Sequence, residues 1–159
     1  MTEETCAPGE AKEFELEIER SIAAPPEKVW DVMTNRLEEW WCPKPWHAII
    51  DRIEWRAGGP FDTTMKGPDG EGFSGSGLFL EVTPGKRFIF TDAISADFQP
   101  QDAFMIGIFE ITPDGNGGTH YRAAARHWSE EAREKHREMG FEQGWKAAAD
   151  QLAELCESA

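Results

Sequence analysis

The stretch HREMGFEQGWKAAADQLAEL, residues 136–155, decides the architecture. Phe141, Trp145, Ala148, Leu152 and Leu155 follow at steps of three or four, which puts them on one stripe of a helix. Ala132, His136 and Met139 form an offset stripe, so a break or bend is expected near Gly140. Ser129, followed by Glu130 and Glu131, has the composition of a helix start: a hydroxyl for an orphan amide, then acids at the positive end of the dipole. Gly140, Gly144 and Ala148, spaced by four, leave a strip without bulk, which implies either close backbone packing or room for a pocket.

Upstream of this helix the pattern changes to a period of two. In FELEIE, Phe14, Leu16 and Ile18 alternate with glutamates, as a half-buried strand requires. AAPPEKVW then opens a helix on Pro25 and Pro26, with Val29, Trp30, Met33 and Leu37 on one face and a break near Asn35. From Ile49 onward strands alternate with the turns GGP, GPDG, TPGK and PDGNGG. GFSGSGLFLEV reads as one strand, DAFMIGIFEIT as the most apolar strand, and THYRAAARHW as a strand that ends at the Ser129 cap. Segregated strands and helices of this order predict an α+β layer in which a curved antiparallel sheet packs on the last helix.

The chain has 159 residues with 16 basic and 30 acidic side chains, a formal charge of -14. No basic stripe is present to neutralise a phosphate backbone or an anionic bilayer, so nucleic-acid and membrane binding are not expected. Cys6, Cys42 and Cys156 are an odd number without a CxxC pair, and neither a signal block nor a membrane-length apolar run is visible. A reduced, cytoplasmic protein is expected, with residues 1–12 as a flexible tail and 13–157 as one domain.

No phosphate loop, HExxH pair or GxSxG elbow occurs, so no metal, cofactor or catalytic residue is assigned. His127 continues the alternation of Tyr121, Ala123 and Ala125, which places it on their side of the sheet, and His136 on the helix is turned toward protein. The pair reads either as hydrogen-bonded structural histidines or as groups that move a proton.

AAPPEKVWDVMT, EEWW, WRAGGPFDTTMKGPDG, GLFLEVTPGKRFIFT and the opening stretch resemble, in that order, the START-like (SRPBCC) superfamily. Its branch of homologues of the activator of the heat-shock-protein-90 ATPase is the most similar. The resemblance implies the helix-grip, or Bet v 1-like, fold: a seven-stranded curved antiparallel sheet around a long C-terminal helix, with two short helices after the first strand. It also implies a cavity between sheet and helix, in relatives that bind hydrophobic ligands, catalyse reactions or assist chaperones.

The leading expectation is a non-enzymatic protein that binds a small apolar or aromatic molecule. Its candidate ligand-binding residues are Trp41, Trp55, Phe61, Met65, Tyr121, His127, Gly144 and Trp145. An enzyme using His127, Tyr121 and His136, and a module that binds a chaperone or other protein, are the alternatives; a homodimer is compatible with each.

Overall fold

The computed structural model describes residues 14–158; the tail expected over 1–12 lies outside the described residues. Strand β1 (Glu15–Ile22) buries Leu16 and Ile22. Helix α1 (Pro26–Asn35) starts where the Pro25 carbonyl accepts the amides of Lys28 and Val29, and Pro26 occupies a position whose missing donor costs nothing. At Arg36 the backbone leaves helical geometry, and the short α2 (Leu37–Trp40) follows. Val29, Val32, Met33, Leu37 and Trp40 are all buried.

Seven strands come next: β2 (His47–Ile53), β3 (Phe61–Lys66), β4 (Gly72–Gly75), β5 (Leu78–Thr83), β6 (Arg87–Thr91), β7 (Ile106–Pro113) and β8 (Thr119–Arg126). All pairings are antiparallel, in a five-stranded sheet of order β1-β8-β7-β6-β5 and a three-stranded sheet of order β2-β3-β4. The single strand expected over GFSGSGLFLEV is thus two half-strands. Its first half pairs with β3 and its second with β6, and they part at Ser76 and Gly77.

Backbone bonds stitch the two sheets at that joint. The Phe61 amide donates to the Gly77 carbonyl and the Phe79 amide to the Gly59 carbonyl, each at 3.0 Å. Gly77 is needed because a Cβ there would lie 2.3 Å from the Thr91 carbonyl oxygen. With β4 and β5 counted as one kinked strand, the curve has seven positions, and the helix-grip fold stands.

Helix α3 (Glu130–Glu138) is capped by Ser129, whose Oγ accepts the Ala132 amide at 3.1 Å. Gly140, at φ 95°, turns the chain into α4 (Phe141–Glu157), so the expected break falls on the residue that tolerates it. Helix α4 packs on β1, α1 and α2. Its buried Ala148, Ala149, Leu152 and Ala153 join the core with Phe79, Phe88, Phe109 and Tyr121.

The outer face of the larger sheet carries charges in a row across its strands. Arg87 reaches Glu81 (2.7 Å) and Glu110 (3.4 Å), while Arg122 reaches Glu110 (3.0 Å), Glu17 (2.8 Å) and Glu15. Glu15, whose side chain is 4% exposed, also takes Arg126 at 2.7 Å, so its buried carboxylate is held by two guanidinium groups.

Candidate functional site

A cavity of about 390 Å³ lies between the sheet and α4. Trp40, Trp41, Phe61, Phe90, Phe109 and Trp145 supply most of its aromatic wall. Trp41 touches Phe61, Phe90 and Phe109 at ring separations of 5.2, 5.9 and 5.1 Å, and Trp145 stacks on the far side of the group against Phe109 at 5.4 Å. Exposed Met65, Gly75, Ser76 and Met139 mark where the cavity meets solvent. The joint between β4 and β5 therefore forms part of the mouth.

Six of the eight candidate residues lie in this wall: Trp41, Phe61, Met65, Tyr121, Gly144 and Trp145. Gly144 faces open space, since a Cβ there would meet nothing within 4 Å. Trp55 and His127 do not line the cavity. β2 ends at Ile53, and Trp55 just beyond it turns into the core but away from the cavity. Trp55 packs instead on Phe79 (4.8 Å) and Phe88 (5.1 Å).

His127 lies just beyond β8. Its backbone amide donates to the Phe14 carbonyl at 3.0 Å, and its ring turns back to place Nδ1 2.9 Å from that same oxygen. Nε2 of His127 lies 2.9 Å from Nδ1 of His136, and it is His136 that stands in the cavity wall. Phe104, Phe141 and Trp145 surround the His136 ring at 4.7, 5.1 and 5.9 Å. The cavity thus has a polar end, and of the two histidines it is His136 rather than His127 that lines it.

Burial, and then the neighbouring His127, hold His136 down at about 4, so it is neutral at pH 7. A base whose pKa is lowered by folding takes up more protons when unfolded, so its contribution is complete above about 6.5 and is lost as pH falls toward 4. The stability advantage of wild type over His136→Phe should therefore shrink by on the order of 2 kcal/mol over that window, after allowance for solvent screening. Urea denaturation of both proteins at several pH values measures it; a constant difference contradicts the assignment.

The other reactive groups in the wall are quiet. Burial pushes the Cys42 thiol up to about 11 and raises the Tyr121 phenol, so both are protonated at neutral pH. The Tyr121 hydroxyl is buried and makes no hydrogen bond to another described residue. Tyr121 and His127 stand six positions apart along β8 and its extension, roughly 20 Å of extended chain, so they do not converge. A larger depression of about 820 Å³ lies on the outer face, beside Glu81, Arg87, Glu110 and Arg122. Those charges are already paired with one another, which leaves the smaller aromatic cavity as the better ligand site.

Sequence reading passed over Trp40, Phe90, Phe104, Met105 and Phe109 as wall residues. Phe90 and Phe109 were accessible in principle, because each occupies an inward position of an alternating strand. Phe104 and Met105 were not, because Asp92 Oδ1 accepts both their amides, at 2.8 and 3.2 Å, and holds them outside β7.

Comparison with known proteins gives one family. The profile described as Activator of Hsp90 ATPase homolog 1-like protein matches residues 23–157. A crystal structure of a Nitrosomonas europaea protein superposes with TM-score 0.83 at 40% identity, covering 89% of this chain and 92% of that one. One from Mycobacterium smegmatis gives 0.77 at 26%, covering 94% of each. The AHSA1 protein of Silicibacter pomeroyi, 24% identical with TM-score 0.67 over 87% of this chain and 94% of that one, shares the fold. No curated protein matches. With the helix-grip architecture and the matched span together, the chain belongs to the Activator of Hsp90 ATPase homolog 1-like family, within the START-like superfamily.

Proposed function

We propose that this protein is a non-enzymatic binding protein that takes one small, mainly apolar or aromatic molecule into the space between sheet and C-terminal helix. The observation that carries the reading is the cavity of about 390 Å³ with its aromatic wall, placed where α4 has Gly144 in place of a side chain. Such a volume is of the order that encloses a small ligand. Trp41, Phe61, Met65, Tyr121, Gly144 and Trp145 are the contacts proposed for it.

The proton-transfer alternative needs two of His127, His136 and Tyr121 at one enclosed point. His127 and His136 do meet, 2.9 Å apart, but both ring nitrogens of His127 are taken up by the Phe14 carbonyl and His136, and this favours binding over catalysis. A protein-binding role would rest on exposed Phe73 and Phe98, for which nothing indicates an occupant. The reduced thiols of Cys42 and Cys156 fit the cytoplasm as the place of action, and among the described residues no helix is long and apolar enough to cross a membrane.

Native mass spectrometry of protein purified from its own cells, followed by denaturation, should release one small molecule per chain. Titration of stripped protein with naphthalene should quench tryptophan fluorescence at 1:1 stoichiometry, since Trp40, Trp41 and Trp145 line the cavity. Absence of both a released molecule and any saturable quenching would overturn the proposal.

A further inference from the structure

The polar end of the cavity has a direction, and the backbone sets it. The Phe14 carbonyl can only accept, so the proton between it and His127 sits on Nδ1 of His127. In a neutral imidazole the other nitrogen then carries a lone pair, so Nε2 of His127 accepts. The 2.9 Å contact to His136 is thus a bond in which Nδ1–H of His136 donates. By the same rule, Nε2 of His136 is left with a lone pair.

That nitrogen has no partner among the described residues, although His136 is only 7% exposed and lines the cavity. A buried acceptor left without a donor is destabilising, because it has given up its bond to water and gained none. Among the described residues the wall has no lysine or arginine and one carboxylate, Asp92, so none of them balances an anionic ligand.

We propose that Nε2 of His136 is the recognition point of the cavity, and that the ligand is a neutral aromatic molecule whose hydroxyl donates to it. This rests on the cavity-binding reading above. Phe104 and Trp145, at 4.7 and 5.9 Å from the imidazole, flank the place where the hydroxyl-bearing ring edge arrives. A carboxylate finds no cation, an ether has no proton to give, and a plain hydrocarbon leaves the nitrogen unsatisfied.

Two measurements test it. Nitrogen-15 NMR of histidine-labelled wild-type protein without ligand should show both His127 and His136 protonated at Nδ1 and bare at Nε2; a proton on Nε2 of His136 at neutral pH overturns the inference. Titration of the same protein with 2-naphthol, 2-methoxynaphthalene, naphthalene and 2-naphthoate should give naphthol about a tenfold lower Kd than the ether or the hydrocarbon, with naphthoate the weakest. In His136→Phe the preference for naphthol over naphthalene should vanish. Equal affinities in wild type refute the hydroxyl assignment but leave the cavity reading intact, whereas failure of all four probes to bind removes both. The wild-type probe series and the NMR decide the matter even where the variant does not fold.

Discussion

Trp40→Ala should lower the unfolding free energy by about 3–5 kcal/mol, the range for deleting a buried large aromatic side chain. Trp40 is 1% exposed, and its rings contact Trp41, Phe109 and Tyr121 edge-on at 5.4, 6.3 and 6.4 Å. It therefore joins α2, β7 and β8 at one point. Its indole N–H donates to the Met33 carbonyl at 3.3 Å, a bond that also fixes how α2 leaves α1. Neighbours drawn from three elements cannot all collapse into the space, so the cavity term persists beside the lost burial. For a domain whose whole stability is roughly 5–15 kcal/mol, this is a large share. Urea denaturation with an unchanged m-value checks it, and a loss under about 1 kcal/mol would show that the indole is not part of the core. Trp40→Phe retains ring packing and should cost less than half as much.

Gly144→Leu should do the opposite to the fold and more to the function. The position lies in α4, where glycine costs about 1 kcal/mol relative to alanine, and an added Cβ meets nothing within 4 Å. Leucine there extends into the cavity that a ligand would fill, so naphthalene affinity should fall by at least about tenfold while thermal stability stays level or rises. Calorimetric titration beside a melting curve separates the two effects. Binding that survives in a protein of undiminished stability would place the ligand elsewhere. Gly107 is the contrasting case: a Cβ there would lie 2.4 Å from the Phe90 ring, so that glycine is required by packing.

The elements visible in the sequence were those fixed by local chemistry. The α4 stripe, the Ser129 cap, the Gly140 break and the paired helices after β1 each depend on neighbours within a few positions, and each lies where the pattern puts it. Features that depend on distant partners were not legible. The joint at Gly77 follows from the approach of the Thr91 carbonyl, and the loop before β7 from two amides captured by Asp92. Trp55 is inward, but that it meets Phe79 and Phe88 rather than the cavity depends on strands distant in the chain. The proximity of the histidines could be read from spacing, but which one faces the cavity could not. That choice is made by the Phe14 carbonyl, 113 positions from His127.

Phe14 and Glu15 are adjacent, yet one is held through its backbone and the other through its side chain. On the outer face the Glu15 carboxylate is clamped by Arg122 and Arg126; within the plane of the sheet the Phe14 carbonyl takes two N–H groups from His127. The ion pairs of Glu15 and the bonds of Phe14 therefore tie the start of β1 to the end of β8 from two directions. The direction of the bond that reaches His136 is thus set by Phe14 and His127, neither of which lines the cavity.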